Sequence, residues 1–266
     1  MAVDSTTYLS NPIDMIKPST RAMGVNVGTF FALLGIMFLP GLLLIVAAIT
    51  GIAGRNGGTN IIALILGMIA IVAIIALALI MVPAVTIVLM ASAQGQKIKA
   101  RAALSQARPF VLRSLGISIL TSLAVVGGFL LFVIPGFIFM AWFSLGMYVL
   151  VTENLGVVES MKRSKVLVRG RVWEIWGISS IAVVVTILPV IGSTANFILS
   201  VLMAPALPIR YLQLSSTAPE ERPKVHWANY AIIVIALLAL VFSAGMANND
   251  LQDLNGGTSS TTDYSF

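Results

Sequence analysis

The spacing of charge along this chain restricts its fold more than any other feature. Five stretches, 22–54, 56–96, 115–152, 175–209 and 225–249, contain no Asp, Glu, Lys or Arg, and together they hold 172 of the 266 residues. Charged residues make up 10% of the chain and hydrophobic ones 58%, against roughly a quarter charged in an ordinary soluble domain. A water-soluble core of this size cannot hide that much uncharged apolar chain. A soluble enzyme, a nucleic-acid-binding domain and a disordered protein are excluded. With no cysteine there is no disulfide scaffold, thiol chemistry or cysteine metal site. A polytopic, all-α transmembrane bundle remains.

A membrane-crossing helix needs about 20 apolar residues, because the hydrocarbon core is about 30 Å thick and a helix rises about 1.5 Å per residue. The first stretch gives one span, 25–52, broken by Gly54, Gly57 and Gly58. The second gives one long span, 61–90, which should tilt, project past the bilayer or kink at Pro83. The third is long enough for two crossings and carries Pro135-Gly136 near its middle, a turn signal, so a hairpin of 114–134 and 137–152 is expected. The fourth divides in the same way at Pro189, Gly192, Ser193 and Thr194 into 172–188 and 195–209. These four legs are short, and each hairpin either crosses fully or is re-entrant. The fifth gives 227–246, for seven spans in all. The chain then reads as a cytoplasmic segment (1–22), a six-span membrane domain (23–216), a cytoplasmic loop with a seventh span (217–247) and a polar extracytoplasmic tail (248–266). A β-barrel would show short alternating segments, and these runs are long and continuous.

Lys and Arg concentrate in cytoplasmic segments of membrane proteins. With the N-terminus inside, fifteen of the sixteen fall on the inner side and only Arg55 outside. The C-terminal tail carries Asp250, Asp253 and Asp263 and no cation. The expected placement is therefore a multi-pass cell-membrane protein, N-terminus cytoplasmic and C-terminus extracytoplasmic. The first 20 residues are polar and hold no apolar core of signal-peptide length, so the first span is expected to direct insertion.

Two inner segments read as amphipathic interfacial helices. Segment 97–107 (KIKARAALSQA) sets Ile98, Ala102 and Leu104 against Lys97, Lys99 and Arg101, and stops near Pro109. Segment 157–168 (VVESMKRSKVLV) places Val157, Val158, Met161, Lys165 and Val168 at helical spacing, with Glu159, Lys162, Arg163 and Arg169 around the wheel and Gly170 as its stop. Trp173, Trp176 and Trp227 suit the headgroup level. Lys97, Lys99, Arg101, Lys162, Arg163, Lys165, Arg169 and Arg171 set the topology and are also candidate contacts for anionic lipid headgroups. They lack the interleaved aromatics of a nucleic-acid surface.

Residues 132–177 read FVIPGFIFMAWFSLGMYVLVTENLGVVESMKRSKVLVRGRVWEIWG. An apolar span ends in Pro135-Gly136 and a second ends in Glu153. A turn at Gly156 comes next, then a Glu159-Ser160-x-Lys162-Arg163-Ser164 helix, Gly170 and an aromatic start to the next span at Trp173. This run resembles the membrane domain found ahead of some glycerophosphoryl diester phosphodiesterases, and related integral membrane proteins of bacteria and archaea. The resemblance extends over roughly 23–216, including the basic segment 97–113 and Tyr211. It implies a six-span membrane domain and no catalytic residue, because no phosphodiesterase domain follows in this sequence.

Little else points to chemistry. His226 is the only histidine, beside Trp227, and zinc needs several converging ligands. There is no His-Glu-x-x-His, Gly-x-Ser-x-Gly, Walker A or dinucleotide fingerprint. No ionisable residue lies mid-span: Arg113, Glu153, Glu174 and Arg210 sit at inner ends. Glu153 is expected to hold the 157–168 helix through an ion pair with Arg113, Lys162 or Arg163. Residues 24–28 (GVNVG) form a Gly-x-x-x-Gly, a motif for close helix approach. The expected function is a non-enzymatic membrane scaffold or lipid- or partner-binding module without a cofactor, in contact with the bilayer and with a membrane protein or a second copy. The alternative is a transporter or channel for a small neutral or lipidic solute, lined by Ser118, Thr121, Ser122, Ser144, Ser179, Ser180, Thr186, Asn196 and Ser200.

Overall fold

The computed structural model describes residues 8–9, 11–53, 57–187, 193–217, 222–239 and 241. Arg55, Pro189, Gly192 and the acidic tail 248–266 lie outside these residues. Among the described residues every regular element is helical, and no strand is present. Four segments of the described residues are long and apolar enough to cross a membrane: Pro12–Gly51, Ile61–Ala93, Ala100–Leu131 and Val133–Glu153.

A 3₁₀ turn at Pro12–Met15 leads into α1 (Ile16–Ala53). Asn26 leaves helical geometry (φ −126°, ψ 20°) and kinks α1 where the first span was expected to begin. Helix α2 (Gly57–Ala93) is a single helix about 55 Å long. It runs through Pro83 as one continuous helix, longer than a single bilayer crossing needs. Gly95, at φ 72°, ends it through the Gln96 N–H, which donates to the Ala91 carbonyl at 2.8 Å. Helix α3 (Ala100–Ala107) buries Ala103 and Ala107 against α2, and a 3₁₀ turn at Arg108–Phe110 turns the chain into α4 (Val111–Leu131).

The hairpin of the third stretch forms, but its turn is Phe132 rather than Pro135-Gly136. Phe132 is extended (φ −161°, ψ 153°), and α5 (Val133–Phe143) starts at once. Proline is tolerated there because the first turn of a helix has no intrahelical acceptor for its N–H. Gly136 faces Phe129: a Cβ on it would lie 2.5 Å from that ring. The pair thus marks the close crossing of α4 and α5. The second leg is interrupted at Ser144-Leu145, dividing α5 from α6 (Gly146–Glu153). Asn154, left-handed at φ 51°, caps α6.

Helix α7 (Val157–Val168) and α8 (Val172–Ile187) are joined through Gly170, whose φ of 77° provides the expected stop. The fourth stretch continues as α9 (Ser193–Met203) and α10 (Ala206–Ser216), and α11 (Trp227–Ala239) carries the described part of the last apolar segment. The buried clusters lie at the basic ends of these helices. One joins Met90, Ala141, Leu145, Val149, Leu167, Val168, Ile175, Tyr211 and Leu214. Another joins Met15, Ala22, Ala93, Ile178, Met203 and Ile209. The other halves of α1 and α2 touch each other, as where a Cβ on Gly51 would meet Ala63 at 3.5 Å, and expose Phe38, Leu39, Leu64 and Met68.

Candidate functional site

The basic end holds a cleft of about 620 Å³. Its floor is the last turns of α2 (Ile87, Met90, Ala91), and Ile98, Pro109, Phe110 and Val151 form its apolar walls. Gln94, Gln96, Lys97, Gln106 and Thr152 supply a polar lip, each of them exposed. The cleft exists because Gly95 turns the chain back and Asn26 holds residues 96–98. The Asn26 amide donates to the Gln96 carbonyl at 2.7 Å and to Ser92 Oγ at 3.1 Å, and its oxygen accepts from the Ile98 N–H at 2.9 Å. Thr29 Oγ1 donates to the Ile98 carbonyl at 2.7 Å. Two α1 side chains therefore fix the strap from which Lys97 projects. Neither was marked by the sequence pattern, although Asn26 is the lone amide in an apolar run.

The 157–168 helix forms over the expected residues, but its buried face differs. Ser160, Ser164, Leu167 and Val168 point inward, whereas Val158 and Val166 are exposed beside Lys162, Lys165 and Arg169. Small hydroxyl residues let α7 approach α5, and Ser164 Oγ donates to the Trp142 carbonyl at 2.6 Å. Lys165 Nζ lies 4.4 Å from the centroid of the Trp142 ring. Glu159 caps its own helix, accepting from the Gly156 N–H at 3.2 Å. Glu153 pairs with Arg163 at 3.3 Å and also accepts from Tyr211 Oη at 3.0 Å. Of the three expected partners Arg163 is the one engaged; Arg113 Nη1 donates to Asn154 instead, at 2.8 Å.

Arg171 is not free for a headgroup. It pairs with Glu174 at 2.7 Å, with its side chain 12% exposed, and donates to the carbonyls of Pro223 and Arg222. Glu174 and Arg210, expected at span ends, are both completely buried and lie 3.5 Å apart. Tyr8 Oη donates to Glu174, the Arg171 and Arg210 guanidinium groups lie 5.5 and 5.0 Å from its ring centroid, and Arg210 Nη2 donates to the Leu9 carbonyl. Burial pushes the Tyr8 phenol up to about 12, and the hydrogen bond to the Glu174 carboxylate acts in the same direction. Arg222 completes the knot, donating to the Leu214, Leu167 and Thr217 carbonyls. This cluster ties together the N-terminal segment, α7, α8, α10 and the chain just before α11. Sequence order hid it, because Tyr8 and Arg210 are 202 positions apart.

Trp173 is exposed and packs against the Tyr230 ring at 5.5 Å. A Cβ on Gly24 or Gly28 would meet nothing within 4 Å among the described residues, so the Gly-x-x-x-Gly makes no close approach to any of them. Lys97, Lys99, Arg101, Lys162, Lys165 and Arg169 are exposed. Among the described side chains, none of the hydroxyl residues named for a solute path lines the cleft; Ser118 and Ser122 are exposed and Ser144 donates to the Ala141 carbonyl of its own helix. The side chains of Thr186 and Asn196 fall outside those described. Among the described residues no three His, Cys, Asp or Glu side chains gather as a metal site would need. The basic end thus combines an amphipathic cleft, an exposed cationic helix face and a buried ionic clamp. No family model, curated protein or solved structure matches the chain.

Proposed function

We propose that the protein is a non-enzymatic integral membrane module that holds an anionic lipid at its cytoplasmic face. The cleft carries this reading. An apolar floor with one cation and three glutamines at the lip is suited to an acyl chain below a phosphate-bearing headgroup. The exposed Lys162, Lys165 and Arg169 of α7 add a second cationic surface, with Val158 and Val166 to enter the interface. In this reading the seven apolar segments leave the N-terminus and all basic loops cytoplasmic, α3 and α7 lie in the interface, and the tail is extracytoplasmic. Arg55 is then the single outer cation.

Native mass spectrometry from mild detergent tests the proposal. An anionic glycerophospholipid should remain bound to the wild type and be lost from Lys97→Ala combined with Gln106→Trp, which removes the cation and fills the lip. Retention of the same lipid by a double variant with unchanged melting temperature overturns it.

A further inference from the structure

We infer that the α4–α5 hairpin is a half-membrane wedge whose tip ends among lipid acyl chains and never reaches the opposite headgroups. Leu130, Leu131, Phe132, Val133 and Ile134 form the tip and are 63–84% exposed. Between Ser122 and Ser144 the only side chain with a nitrogen or oxygen atom is Trp142. Such a tip has nothing to offer water or headgroups.

The backbone of the turn is built for a dry surrounding, where every unpaired N–H or C=O costs several kcal/mol. The Phe132 N–H donates to the Gly128 carbonyl at 3.0 Å, and the Phe132 carbonyl accepts from the Gly136 N–H at 3.4 Å. Pro135 removes one of the N–H groups that would otherwise stand unpaired in the first turn of α5.

The depth of the tip is set by two attachments. Trp142 lies beside the charged α7, its carbonyl on Ser164 and its ring under the Lys165 ammonium. Val133 is nine residues away, about 14 Å along a helix. Nearer the tip, the Phe137 carbonyl accepts from Trp176 Nε1 at 3.3 Å. Trp176 is only five residues beyond Arg171, so the tip stands roughly 20 Å from that charge once the four residues from Phe137 to Val133 and the reach of the indole are added. Both limits fall short of the ~30 Å hydrocarbon core. Helix α4, about 27 Å long from Arg113 to Leu131, also falls short of that thickness.

The chain lacks cysteine, so single-cysteine variants test this directly. In sealed proteoliposomes Phe132→Cys, and Leu130→Cys as a second position, should resist a membrane-impermeant maleimide from both sides and react after detergent is added. Gly57→Cys and Lys162→Cys should each react from one side. A bimane attached at Phe132→Cys should lose fluorescence in bilayers of lipid brominated on the acyl chain. Labelling of the tip as fast as Gly57→Cys from the same side would show a crossing hairpin and overturn the inference. Absence of quenching by brominated chains would show a protein surface, such as a second copy, over the tip and overturn it equally.

Discussion

Two ion pairs of similar appearance in the sequence are energetically unlike. Glu153–Arg163 is partly exposed, and such pairs contribute about 0–1 kcal/mol. Glu174 is wholly buried between Arg171 and Arg210; loss of Arg210 leaves Glu174 paired with Arg171, but it empties a fully buried site and strips the Leu9 carbonyl of its donor, a cost of about 1–3 kcal/mol. Arg210→Met should therefore lower the melting temperature in detergent more than Arg163→Met. Equal shifts would contradict the burial of Arg210. Tyr8 adds a pH dependence. Its phenol ionises near pH 10 in the unfolded chain and near 12 in the folded one, so the folded state holds an extra proton between these values. Stability contributed by Tyr8 is intact below pH 10 and falls as pH rises toward 12. Melting curves from pH 9 to 11.5 should slope downward less steeply in Tyr8→Phe. The sequence showed that Glu174 and Arg210 are ionisable residues at the ends of apolar runs, but not that they share a buried site with Tyr8. Pairing across such separations is decided by which helices pack.

At the scale of elements, glycines and one asparagine set the joints. Gly128 and Gly136 allow α4 and α5 to cross closely, since a Cβ at Gly136 would overlap the Phe129 ring. Gly136→Ala should cost about 1–3 kcal/mol by overpacking. Gly127→Ala, one residue from Gly128 and with nothing within 4 Å, should be neutral or slightly stabilising through helix propensity. Comparing the two variants in SDS-titration unfolding checks the crossing. Asn26 does for the α2–α3 strap what Gly136 does for the hairpin. Asn26→Leu leaves the Ile98 N–H without its acceptor and should cost about 1–3 kcal/mol, with faster hydrogen exchange confined first to residues around 96–98. Helix existence and the stops at Gly95, Asn154 and Gly170 depend on local conformational preference. Of these the Gly170 stop was visible in the sequence. The turn lies at Phe132, three residues before Pro135-Gly136, because proline-glycine favours a turn but also fits the first turn of a closely packed helix.

The whole molecule divides into a packed basic end and a pair of long helices with apolar surfaces on their far halves. Lipid tails are as apolar as leucine, so truncating a side chain that faces them changes little. Leu64→Ala, on the exposed surface of α2, should shift unfolding by less than about 0.5 kcal/mol. Leu145→Ala, completely buried in the cluster with Met90 and Tyr211, should cost about 2–5 kcal/mol. Similar losses at both sites in bilayer or detergent would mean that the far halves of α1 and α2 are packed against protein.

Charge spacing alone determined that this chain is helical and apolar enough for a membrane, because backbone polar groups in lipid must be paired within a segment and helices do so locally. The residue pattern also located the basic segments, the limits of α7 and α8, and the cations of the lip and of α7. Tertiary packing alone decided which face of α7 is buried, that Arg171 belongs to an ionic clamp, where the α4–α5 hairpin turns, and that Asn26 builds a cleft around Lys97. Those outcomes depend on contacts between residues far apart in the chain. A hydropathy pattern with period 3.6 records how apolar a face is, not whether it meets lipid or another helix, and in a membrane both neighbours are equally greasy.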